Sequence, residues 1–118
     1  MSLEAGKTFL NQFDLSEDIK NKILNCIEAH HRGVSFESFE AEICANADCY
    51  KFLHPKGVLR YLTILGKKDL DFEDSLNKLE FKMDEKWNIL SLDICKKELE
   101  PYYKQFKELI KKARENNI

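Results

Sequence analysis

Apolar residues recur at steps of three and four along nearly the whole of this chain, and only four Gly and two Pro interrupt them. That period belongs to helices packed by one face, and no stretch alternates with the period of two that a half-buried strand requires. An all-α fold follows, with about six helices. At 118 residues there is room for one modest core, so the chain reads as a single all-α domain over 1–118.

The first helix is expected over residues 4–13, behind a short leader at 1–3. A second starts after Ser16, which suits an N-cap, with Glu17 and Asp18 in the first turn, and runs to about His31, where Gly33 stops it. Its apolar stripe is Ile19, Ile23, Cys26 or Ile27, then His30. A third helix carries Phe39, Ile43, Ala47 and Tyr50 on one face and ends before His54-Pro55. Pro55 fits the first turn of a fourth helix, since its missing N–H is not needed there. Residues 58–65 of that helix are apolar nearly all round, which predicts a central position in the core. A fifth opens near Asp71 with the stripe Phe72, Leu76, Leu79, Met83, Trp87 and Leu90. The sixth follows Ser91 with Leu92, Cys95, Leu99, Tyr102, Phe106, Ile110 and Ala113, and Pro101 inside it predicts a kink or a break.

Composition removes several function classes. Charged residues are 34% of the chain and the formal charge is -2, which lacks the positive field of a general nucleic-acid or membrane binder. The last 23 residues carry seven Lys or Arg against four acids, alternating as on a solvated helix face. No apolar run reaches membrane-spanning length and no signal peptide opens the chain, so a cytoplasmic location is expected. Cys26, Cys44, Cys49 and Cys95 form no CxxC pair, and reduced, mostly buried thiols are expected. Phosphate loops, HExxH helices, nucleophile elbows and EF-hand loops are absent from the sequence.

Three positions could carry chemistry. Asp48 shares a helical face with Ala41, Cys44, Ala45 and Phe52, and a carboxylate in an apolar setting must be paired, protonated or bound to a cation. Lys51 could pair with it in a structural ion pair, or the group could be a metal ligand. His30 and His31 sit at the end of the second helix, where a C-cap role and ligation both remain open. His54, before Pro55, reads as a turn residue. Glu37, Glu40 and Glu42 are favoured at a helix start whatever the function.

The order Ile27, His30, then Glu37, Ser38, Glu40, Ala41, Ile43, Asn46, Ala47 and Asp48 resembles the second half of a metal-dependent phosphohydrolase domain of the HD superfamily. The specific block is 27–48, and a looser likeness covers most of the chain. The resemblance implies a partial HD-like helical bundle. It also implies a divalent cation (Mn, Mg, Fe, Ni, Co or Zn) for which Asp48 is the distant aspartate ligand. His30, His31, Glu37 and Asn46 become candidate pocket residues, and a phosphate ester or nucleotide the ligand. In that family the other ligands are a histidine and a His-Asp doublet, and no His-Asp pair occurs in these 118 residues. Asn46 stands where an acid is usual, and Cys49-Tyr50 follows Asp48 in place of a basic residue and leucine.

The expectation is therefore an HD-type hydrolase fold that is incomplete or inactive as it stands and binds no metal tightly, with no residue assigned to catalysis. The alternative is a non-catalytic helical module that binds a partner or senses a nucleotide. Helices lacking their usual neighbours should leave apolar surface open around Ile23, Ile27, Cys44 and residues 58–62, which predicts a homodimer.

Overall fold

Short polar caps set most of the helix starts. The computed structural model describes residues 2–29 and 34–115, and among these it contains six helices and no strand. They are α1 (Leu3–Leu10), α2 (Glu17–Glu28), α3 (Phe39–Leu53), α4 (Pro55–Gly66), α5 (Phe72–Ile89) and α6 (Asp93–Glu115). Ser2 Oγ accepts from the amide of Ala5, Ser16 Oγ from Ile19, Ser38 Oγ from Ala41 and Asp71 Oδ1 from Asp74, each satisfying a first-turn N–H. His54 caps α4, and Pro55 occupies its first turn. The all-α class expected from the periodicity is the one observed. None of the described helices is long and apolar enough to cross a membrane.

The chain divides into two compact units, 1–48 and 49–118, with the division inside α3. In the first, α1 packs on α2. Leu10, Asn25, Ala29, Ala41, Ala45 and Asn46 are its buried side chains. In the second, α4 packs on α5 and α5 on α6. They enclose a core of Cys49, Leu53, Val58, Leu65, Leu76, Leu79, Met83, Leu90, Leu99 and Ile110.

The first helix begins at Leu3, with Ser2 as its N-cap, and ends at Leu10 rather than Phe13. Two expected faces also change. On α3 the buried positions are Ala41, Ala45, Cys49 and Leu53, whereas Phe39 is 64% exposed and Ile43 and Ala47 face solvent. The packed face is thus the one that begins with the small Ala41 and Ala45 and ends with Leu53. On α2, Ile19 and Ile23 are exposed, and Asn25 is buried instead. The α4 helix is one-sided: Val58 and Leu65 are buried, but Leu59 is 56% and Ile64 46% exposed. It is therefore not the enclosed helix that its composition suggested. The stripes of α5 and α6 hold, apart from Phe72, which is exposed. No break occurs at Pro101. Both Pro101 and Lys97, whose carbonyl loses its partner, are exposed, so water can satisfy that group and α6 continues.

Between α5 and α6 runs a line of polar and aromatic contacts. Lys107 reaches Glu80 at 2.9 Å and Asp84 at 3.1 Å, and Arg114 reaches Glu80 at 2.8 Å and Asn77 at 2.7 Å. The Tyr103 hydroxyl donates to Asp84, and its ring stacks on Trp87 with centroids 4.8 Å apart.

Candidate functional site

Asn25 organises the segment that leads into α3. Its Nδ2 donates to the carbonyl of Ser35 at 3.2 Å, and its Oδ1 accepts from the amide of Glu37 at 2.9 Å. A buried amide that exchanges both of its polar groups with a loop backbone fixes that loop against α2 and orients the start of α3. Glu37 is thereby held by its main chain, and its side chain is exposed. Sequence reasoning passed over Asn25 because it lies off the apolar stripe. A polar residue amid helix-period hydrophobics was the available signal.

Asp48 stands half-buried on α3. Of the residues expected on its face, Ala41 and Ala45 are fully buried, Phe52 is half-buried and Cys44 is exposed. The setting is therefore less apolar than the spacing implied. Asn46 is buried and turns back on its own helix, donating to the carbonyl of Glu42 at 2.8 Å. His30 and His31 lie outside the described residues. Among those described, no three His, Cys, Asp or Glu side chains gather as a group that could hold a metal ion.

The four cysteines are free thiols, but only Cys49 is buried, which corrects the expectation of mostly buried sulfur. Burial pushes the Cys26 thiol up, and the neighbouring Cys44, which shares a hydrogen bond with it, pushes it further. A raised thiol is a poorer nucleophile at neutral pH, so Cys26 lacks the marks of a catalytic cysteine.

The second unit holds a cleft of about 550 Å³ that the sequence did not announce. Tyr50, Phe52 and His54 line it from the end of α3 and the turn that follows, Lys56, Arg60 and Tyr61 from α4, and Glu98 from α6. Gly57 makes this arrangement possible. A Cβ there would meet the carbonyl oxygen of Lys51 and come within 2.6 Å of the carbonyl oxygen of Tyr50, so only glycine lets α4 start this close to α3. Phe52 meets Tyr61 edge-on with centroids 5.0 Å apart, and the ammonium groups of Lys82 and Lys86 lie 5.9 and 5.7 Å from the Phe52 ring centre. The Tyr50 hydroxyl donates to Glu98 at 2.7 Å, and His54 Nδ1 accepts from the amide of Lys56 at 3.3 Å. Burial first, and Glu85 second, raise the Tyr61 phenol above its ordinary value.

No protein-family model, no curated protein and no solved structure matches this chain.

Proposed function

We propose that the chain is the helical second part of an HD-type phosphohydrolase-like domain. In this reading Asp48 is one carboxylate ligand of a divalent cation, and a phosphate ester or nucleotide is the ligand class. What supports it is the resemblance of the Glu37–Asp48 phrase, together with the Asn25 bridge, which ties the backbone of Ser35 and Glu37 to α2 just before α3, and the half-buried position of Asp48 on α3. The four thiols, none of them in a disulfide, suit a reducing compartment such as the cytoplasm.

Among the described residues no three His, Cys, Asp or Glu side chains gather around Asp48, so in this reading the remaining ligands of a divalent ion come from elsewhere. No hydrolytic step is assigned to this chain alone. Two experiments test the reading. Purified protein with Mn, Mg, Ni, Co or Zn should not turn over nucleotides or a generic phosphate ester, and robust turnover that disappears in Asp48→Ala would contradict the incomplete site. A chimera that supplies a histidine and a His-Asp pair from an HD-type hydrolase should retain metal, and Asp48→Ala should release it. Equal metal content in both chimeras would remove Asp48 from the ligand set.

A second reading, self-association, rests on the apolar side chains that α2 and α3 leave in solvent: Ile19, Ile23, Phe39 and Ile43. Apolar area buried between copies contributes on the order of 25 cal/mol per Å² before entropic costs, so a face of several residues can sustain a symmetric pair. Light scattering over a wide concentration range tests it, and a constant monomer mass would exclude the dimer.

A further inference from the structure

The cleft beside Gly57 combines two properties that rarely meet on a surface with this overall charge. Its walls are rings: Tyr50, Phe52, His54 and Tyr61 all border it. Its charged lining is mostly positive. Lys56 and Arg60, four residues apart on α4, lie on one face of that helix and form no ion pair with another described residue. Glu98 is the single acid in the lining, and its Oε2 is already engaged by the Tyr50 hydroxyl. A neutral apolar guest would leave both cations unused, and an inorganic anion would leave the rings unused. The complementary guest is a flat ring joined to a dianion. Arg60 can offer two parallel N–H donors to phosphate oxygens and Lys56 a point charge beside it, while aromatic side chains take the face or edge of a heterocycle. The volume lies within the range of sites for molecules of this size.

We propose that this cleft binds a nucleoside monophosphate, the base against Tyr50, Phe52 and Tyr61 and the phosphate on Lys56 and Arg60. The site uses neither Asp48 nor a metal, so it stands or falls independently of the phosphohydrolase reading. Polynucleotides are disfavoured, because only two or three positive charges are gathered here on a chain of net charge -2.

The test is a titration of the isotope-labelled full chain followed by amide chemical shifts, with AMP and UMP as probes and adenosine, ribose 5-phosphate and inorganic phosphate as part-ligands. AMP or UMP should move the amides of residues 50–64, and each part-ligand should bind about tenfold or more weakly, the usual worth of one charge-assisted or stacking contact. Arg60→Gln, at an exposed position that leaves the core untouched, should weaken AMP about tenfold and leave adenosine unchanged. Tyr61→Leu should weaken AMP and adenosine alike. Absence of shifts at about 5 mM AMP and UMP, shifts confined to other regions, or inorganic phosphate binding as tightly as AMP would each overturn the proposal.

Discussion

The Tyr50 hydroxyl donates a 2.7 Å hydrogen bond to Oε2 of Glu98, joining the end of α3 to α6 across 48 residues of sequence. Burial first, and Glu98 second, raise the Tyr50 phenol well above its ordinary value, so the proton that makes this bond stays in place throughout the neutral range. Glu98 Oε2 is thus engaged by the protein itself, and Lys56 and Arg60 of the same lining form no ion pair with it.

Gly57→Ala should destabilise the second unit. In most helix interiors alanine gains up to about 1 kcal/mol over glycine. Here the added Cβ meets the backbone at the end of α3, and relieving that collision should reverse the sign to a net loss of about 2 kcal/mol. Urea unfolding monitored through Trp87 measures it, and a stabilised variant would show that α4 can retreat without cost.

Asn25→Ala should cost about 2 kcal/mol, because the carbonyl of Ser35 and the amide of Glu37 both lose their partner in a part-buried place. Amide exchange at Glu37 should accelerate in the variant. Unchanged protection there would mean that the loop is held by something other than Asn25.

Alkaline pH should weaken the α5–α6 pairing through Tyr103. Burial, then Asp84 and Glu80, raise its phenol far above the ordinary 10.0. A raised folded-state value means that the unfolded chain loses its proton first. The contribution is therefore complete below pH 10 and is lost as pH climbs through the folded value. Tyr103→Phe should unfold with a shallower dependence on pH above 10 than the parent chain. Identical alkaline limbs would exclude Tyr103 as the source.

Acid should act through Glu80, whose carboxyl is held below the ordinary glutamate range by hydrogen bonds from Arg114 and then Lys107. Its contribution is present above about pH 4.5 and is lost as pH falls through the lower, folded-state value. Glu80→Gln should cost about 1 kcal/mol at neutral pH, since the cluster is partly solvated, and should flatten the acid limb of stability. A variant as stable as the parent at pH 7 would mean that the cluster contributes nothing net.

Helix number, helix class and the starts at Ser16, Pro55 and Asp71 were legible in the sequence, because these residues act through neighbours within four positions, whereas the caps formed by Ser2, Ser38 and His54 were not. The packed face of α3 was not. Phe39, Ile43 and Ala47 form a stripe as regular as Ala41, Ala45 and Cys49, and period alone cannot say which of the two is buried. The cleft was equally hidden, since Tyr50, Arg60 and Glu98 belong to separate helices and meet only after α4 has settled on Gly57. Asp48 could be singled out by wording, but its donors could not be counted from spacing.

The α5–α6 hairpin grades from aromatic to ionic along its length: Trp87 stacks on Tyr103 near the connecting turn, and Arg114 meets Glu80 and Glu73 toward the open end. Electrolyte acts on the two ends unequally, because screening reaches charged contacts and leaves stacked rings almost untouched. Rising ionic strength should therefore loosen the Arg114 end of the hairpin more than the Trp87 end, down to the limit set by the buried Leu76 and Ile110, which salt leaves in place.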